Sequence, residues 1–138
     1  MKKIFLFLAL VIFLAGGAYF FMNANAKINY KDGVYNASVT DSFGELKLTL
    51  ELKDNKIIKC DLAGYDKEGH IKDENYAKNS GPKKYELGQI AVNAINKYPA
   101  MLIESQNINE LDAISGATVS FKQFKDMVND ILKQASER

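Results

Sequence analysis

Leu46, Leu48, Leu50 and Leu52 alternate with Lys47, Thr49, Glu51 and Lys53, and this period of two constrains the fold more than any other feature. A helix would scatter the four leucines around its circumference, whereas a strand gathers them on one face and leaves the other face wet. Asp54-Asn55 follows, and both residue types tolerate the left-handed conformation that a tight hairpin turn requires. Ile57 to Leu62 then reads as the returning strand. Cys60 falls within it in the pattern Ile58-x-Cys60-x-Leu62, which predicts a small core side chain alternating with two apolar neighbours. Val34 to Val39, after the turn-prone pair Asp32-Gly33, predicts an earlier strand.

The remaining segments predict helices. Gly64 to Pro82 is polar and reads as a loop, with one helical turn around Asp73–Lys78. Leu87, Ala91, Ala94, Ile95 and Tyr98 recur at helical spacing, and Pro99 is expected to stop that helix, with Met101-Leu102-Ile103 as a short strand beyond it. Phe121, Phe124, Val128, Ile131, Leu132 and Ala135 mark one face of a last helix. Ser120 and Gln123 have the spacing of a capping box, and Val119 and Phe124 that of a hydrophobic staple, so this helix is expected to start at a Ser120 cap. The expected fold class is α+β, an antiparallel sheet packed against two main helices.

Residues 1–26 read as an appendage to a single domain over 27–138. Lys2 and Lys3 precede nineteen uncharged residues, Ile4 to Met22. As a helix these would span roughly 28 Å at ~1.5 Å per residue, close to the ~30 Å hydrocarbon core of a bilayer. The two lysines would stay in the cytoplasm and the domain would lie outside it. Ala24-Asn25-Ala26 has the small-x-small form of a signal-peptidase site, so an exported form cleaved after Ala26 is the alternative to a retained anchor. Without Lys2 and Lys3, 16 of the 18 basic residues face 17 acidic ones, a net charge of −1. That balance offers no basic stripe for nucleic acid. A single cysteine excludes an intramolecular disulfide, and His70, the only histidine, reads as a solvated loop residue rather than a metal ligand. No cysteine pair, Ser–His–Asp set or nucleotide-type glycine loop is present, so no catalytic and no metal-binding residue is expected.

One stretch does carry chemistry. Asp112-Ala-Ile-Ser115-Gly116-Ala117-Thr118 places a hydroxyl behind two residues with little or no side chain, just ahead of an amphipathic helix. Gly116 and Ala117 allow a bulky group near the backbone, and a helix N-terminus favours a phosphate. Such residues also gather before helices simply because they turn and cap chains. The stretch, however, resembles the flavinylation motif of the FMN-binding domain family, a domain also found in the sodium-pumping NADH:quinone oxidoreductase. That motif reads Asp, two variable residues, Ser or Thr, Gly, Ala, then Thr or Ser. Asp112, Ser115, Gly116, Ala117 and Thr118 match every fixed position. The Asp32-Gly33-Val34-Tyr35 opening, the Lys53–Ile57 turn and the Asp66–Tyr76 loop also resemble the family, in the same order.

The resemblance implies FMN held covalently through a phosphoester to Thr118, added by a separate flavin transferase that moves FMN from FAD with Mg²⁺. Ser115, Gly116 and Ala117 would wrap the phosphate with backbone N–H groups, and Asp112 would shape the loop or be read by the transferase. Ser120, the nearest competing hydroxyl, is set aside because the expected capping box engages its oxygen. Tyr65, Tyr76 and Tyr85 are candidates for contact with the flavin ring. The implied function is an extracytoplasmic electron carrier between a membrane redox donor and an outer acceptor, rather than an enzyme with its own substrate. The alternatives are an exported, flavin-free binding module of the same fold and, less well matched by the chain's length, a component of an ion-pumping complex.

Overall fold

The computed structural model describes residues 28–136; the Ile4–Met22 segment and the Ala24–Ala26 cleavage site lie outside them. Three strands, β1 (Gly33–Asp41), β2 (Gly44–Lys53) and β3 (Lys56–Tyr65), form an antiparallel meander in the order β1-β2-β3. Helices α1 (Pro82–Ser105) and α2 (Thr118–Ala135) follow. The sequence-derived class, an antiparallel sheet with two main helices, is therefore the observed one. The Asp54-Asn55 turn takes the left-handed conformation at both residues, with φ of 49° and 64°, as a two-residue hairpin demands. Asp32 Oδ1 accepts from the Asp54 N–H and Asn55 Oδ1 from the Tyr30 N–H, tying the start of the domain to that turn.

Leu46, Leu48, Leu50 and Leu52 are all 5% exposed or less, so the alternation in β2 faces one core. Both helices pack on this side: α1 on β3, and α2 across β1 and β2. Beside the leucines lie Tyr98 and Leu102 of α1 and Phe124, Met127, Val128 and Ile131 of α2. Ile108 and Leu111, in the connection between the helices, are buried with them.

Five local expectations are corrected. β3 does not alternate as Ile58-x-Cys60-x-Leu62. A bulge between the Glu51↔Lys59 and Leu52↔Ile57 pairs leaves Ile58 unpaired and 46% exposed, while Ile57 and Cys60 both turn inward. Pro99 does not stop α1, which runs on to Ser105 and absorbs the expected 101–103 strand. An interior proline costs about 3 kcal/mol, but continuing the helix buries Leu102 completely and Met101 partly. That is worth about 1.5–3 kcal/mol per fully buried side chain, and a new end at Gln106 is well satisfied. Gln106 is left-handed, its N–H reaches Leu102 O at 2.8 Å, and its amide pairs with both the N–H and the C=O of Ile57 at the bulge.

The start of α2 differs as well. Ala117, not Ser120, is the N-cap, and Thr118 is the first helical residue. The Gln123 side chain reaches Asp41 Oδ2 at 2.8 Å instead of closing a capping box. Val119 is 59% exposed and so does not staple onto buried Phe124. In the 64–82 segment, the expected turn is present as a turn over 74–77 running into a short 3₁₀ helix, Lys78–Ser80.

Cys60 is 6% exposed, and burial, with a smaller contribution from the Asp61 carboxylate, pushes its thiol up to about 12. The neutral thiol is a poor nucleophile. Native protein at pH 8 should leave Cys60 unlabelled by a maleimide over hours and label fully in denaturant, read by intact mass; rapid native labelling would contradict the buried placement.

Candidate functional site

Two helices resting on the same sheet face leave a groove where their N-terminal ends approach the β1–β2 turn. The groove encloses about 650 Å³, within the range of pockets that hold cofactor-sized ligands. One wall is the turn from Asp41 to Leu46, the second is the N-terminal half of α1, and the third is the segment Gly116–Ser120 with Gln123. Lys72 and Tyr76, from the long connection after β3, complete the lining. Phe43, Leu87 and Val119, each more than half exposed, form an apolar rim.

The β1–β2 turn is rigid for local reasons. Asp41 Oδ1 accepts the Phe43 N–H at 2.7 Å, a turn that aspartate side chains favour. Gly44 has φ of 127°, and a Cβ there would stand 2.0 Å from Tyr65 O, so only glycine lets β2 start against β3. Asp41 Oδ2 accepts from Gln123 of α2. The turn and the helix are therefore joined across the groove.

Tyr98 positions the Asp112–Thr118 stretch from behind. Its ring is fully buried, stacked on Phe124 at 5.5 Å and tilted against Phe121 at 5.4 Å. Its hydroxyl accepts from the Ile114 N–H at 3.1 Å and donates to Ala117 O at 3.4 Å. Burial pushes this phenol up, with the Ile114 N–H opposing, so the proton that bridges to Ala117 stays in place. Between these two anchor points the chain turns at Gly116, whose φ of 83° suits glycine. The Ile90 side chain stands 3.1 Å from where a Cβ on Gly116 would be, which adds a steric reason for glycine. Ala117 is 3% exposed, pressed into the core.

The sequence-predicted residues divide accordingly. Gly116, Ala117 and Thr118 line the groove together, with Thr118 exposed to solvent. Asp112 and Ser115 are exposed and outside its lining. The Ala117 N–H is engaged by Ile114 O at 2.9 Å. The donors that open α2 belong to its first turn, where no side chain caps them. Four such N–H groups lack an intrahelical partner in any α-helix, and with the helix dipole they favour an anion. Ser120 also lines the groove, and with no capping box its hydroxyl is not engaged in the way expected from sequence.

Of the three tyrosines, only Tyr76 lies in the groove. Tyr85 donates to Glu74 O at 2.9 Å, and Tyr65 carries Lys47 over its ring at 5.0 Å. Tyr76 is held through its backbone, since Gln89 of α1 donates to the carbonyls of both Asp73 and Tyr76 at 3.1 Å. Burial pushes its phenol up, and the Asp66 and Asp41 carboxylates add to the effect. Sequence reasoning missed Lys72 and Ile90, which carry no local signal, and gave other roles to Gln123, read as half of a capping box, and to Tyr98, read only as part of a helical core face. Tyr98 could have been noticed as a polar ring on that otherwise aliphatic face. His70 is exposed and pairs with Asp66 at 3.3 Å, as a solvated loop residue would. Among the described residues, no group of three or more His, Cys, Asp or Glu side chains could hold a metal ion.

The chemical character of the groove fits a flavin mononucleotide: apolar surface for a ring, an uncapped helix start for a phosphate, and a hydroxyl beside it. The crystal structure of the CPE2226 protein from Clostridium perfringens superposes with a TM-score of 0.62 at 25% identity, covering 78% of this chain and 89% of that one. A solution structure from Clostridium thermocellum is 30% identical over 78% of this chain and 93% of that chain, with a TM-score of 0.47. No curated protein is similar enough to this chain to be matched with it. Residues 42–133 match the FMN-binding domain, two thirds of the sequence and every groove-lining residue but Asp41, and the chain belongs to that family.

Proposed function

We propose that this protein is an extracytoplasmic electron carrier whose FMN is attached through a phosphoester to Thr118. The observation that carries the reading is the placement of Thr118. It is an exposed hydroxyl on the first residue of α2, at the groove wall, beside uncapped N–H groups and behind a buried Ala117. A separate transferase must reach that oxygen, and exposure permits it. Thr118 Oγ would form a bond to the FMN phosphorus of FAD, the pyrophosphate P–O bond would break, and AMP would leave with the hydroxyl proton. The Thr118, Val119 and Ser120 N–H groups would meet the resulting phosphate. The flavin supplies the electron transfer when bound; the protein's part is to hold it, wall one side with apolar residues and leave the other open at the rim. Tethering outside the cytoplasm keeps the cofactor at high local concentration, where a dissociated one would be lost.

Asp112 stands away from the groove, consistent with a residue read by the transferase rather than one that touches the phosphate. The membrane donor and outer acceptor would meet the flavin at the rim formed by Phe43, Leu87 and Val119. The Ile4–Met22 segment would hold the domain to the membrane. Among the described residues no helix is long and apolar enough to cross a membrane, so the proposed tether rests on that N-terminal segment alone.

Three outcomes are expected. Coexpressed with a flavin transferase and exported, the wild-type chain should gain one FMN less one water by intact mass and fluoresce in a denaturing gel. Thr118→Ala should lose both signals with an unchanged melting temperature, because alanine offers no oxygen for the ester and Thr118 is exposed. Flavin retained in Thr118→Ala and lost in Ser120→Ala would move the bond to Ser120, and no flavin in the wild type would favour a non-redox binding module. Tyr98→Phe removes both hydrogen bonds that hold the loop, at about 1 kcal/mol each; it should remain folded but load flavin several-fold more slowly, measured as a time course of flavinylation. The full chain should stay with membranes through a high-salt wash, because burial of an apolar span is not ionic; a soluble product beginning at Lys27 would show cleavage instead.

A further inference from the structure

Lys72 is the half-buried cation of the groove lining, and the fold goes to some length to put it there. Its N–H donates to Gly64 O at 2.8 Å, and Ile71 beside it bridges to Tyr65, so this segment runs along the end of β3. Gly64 has no side chain, and the Lys72 stem lies across it: a Cβ on Gly64 would stand 3.3 Å from Lys72 Cδ and 3.0 Å from Ile95 Cδ1. The ammonium rests 5.0 Å from the centroid of the Tyr76 ring. Lys84 also lines the groove but is exposed, whereas Lys72 is half-buried.

Beyond the Tyr76 ring, its charge has no close partner among the described residues. The salt bridges among the described residues do not include Lys72, so no carboxylate among them stands within 4.0 Å of it. The two acids that act on it are committed elsewhere. Asp41 accepts from the Phe43 N–H and Gln123, and Asp66 from the Glu68 and His70 N–H groups. Burial lowers the Lys72 pKa, and these two carboxylates oppose that only at longer range. A lysine with no function in the groove would extend its ammonium into water or pair it. A half-buried, unpaired ammonium in a ligand-sized groove is instead placed for an anionic ligand.

We infer that Lys72 is a potential-setting residue, supplying the positive charge that the flavin ring meets inside the groove. The inference rests on the flavin-carrier reading above. The uncapped start of α2 already provides for the phosphate, which leaves Lys72 for the ring. Reduction by two electrons, with one proton taken from water, adds one net negative charge to the ring. A fixed cation held away from bulk water favours that reduced state over the neutral oxidised one. Lys72 therefore raises the midpoint potential and makes the carrier easier to reduce.

The test is a potentiometric titration of the flavin-loaded protein, with dithionite as reductant, ferricyanide as oxidant and absorbance as readout, on wild type, Lys72→Met and Lys72→Arg. Lys72→Met should load flavin to the wild-type extent but favour reduction at least tenfold less, a potential lower by about 30 mV for a two-electron couple. Lys72→Arg, which keeps the charge, should recover most of the difference. If the methionine variant does not fold, Lys72→Gln replaces it, because the arginine control separates charge from packing in either case. Equal potentials in charged and neutral variants would overturn the inference and leave Lys72 as a packing residue over Tyr76. Loss of loading with no change in the potential of the residual loaded fraction would also overturn it, assigning Lys72 to the phosphate or to transferase recognition. A wild-type chain that takes up no flavin would reject the carrier reading itself, and this inference with it.

Discussion

A three-stranded sheet with one apolar face forces both helices onto the same side, and the leucines of β2 are the surface they share. Leu48, Leu50 and Leu52 are 2% exposed or less, under side chains from both helices. The opposite face, with Lys47 and Lys53 pointing to water, offers neither helix a place to dock. Between the β1–β2 turn, the N-terminal half of α1 and the start of α2 a space is left, and that space is the groove. The site is thus a consequence of how the core is satisfied rather than an addition to it.

Tyr98 joins core to site. Its ring contributes to the same buried layer as Phe124, while its hydroxyl supplies one donor and one acceptor to a loop with few other backbone partners. A buried phenol is costly unless hydrogen-bonded, so the loop and the ring stabilise one another. The segment ahead of α2 is held at Ile114 and Ala117 and turns freely only at Gly116 between them. Pro99, next along α1, leaves the placement of Tyr98 intact, because the burial on either side of it offsets the loss of one helical hydrogen bond.

The electrostatics of the groove divide by position. A helix start without a capping side chain lies on one wall, a half-buried lysine in the lining beside Tyr76, and Asp41 is turned to the Phe43 N–H and the Gln123 side chain. Of the carboxylates that line the groove, Asp41 is engaged by the Phe43 N–H and Gln123 and Glu45 by Lys47, so an entering anion faces no uncommitted acid among the described residues. A near-neutral overall charge on the chain is compatible with such a local field, since it is arrangement and not the sum that a bound ligand experiences.

The sequence by itself determined the β2–β3 hairpin, the apolar faces of both helices and the Gly-Ala-Thr stretch. Each rests on a local rule: a period of two, a period of 3.6, or the small size of neighbouring residues. It misjudged the points where a distant partner competed with a local preference. Gln123 had the right spacing to cap its own helix but found Asp41, 82 positions away in sequence. Pro99 should have ended α1, but Leu102 had a core to enter. Ile58 and Cys60 should have shared a face, but the bulge turned Ile57 inward and Gln106 satisfied it. The groove depends on long-range packing alone. Lys72 with Tyr76, Leu87, and Thr118 come from three separate segments with no pattern linking them, and they meet only because the sheet has a single face for both helices to cover.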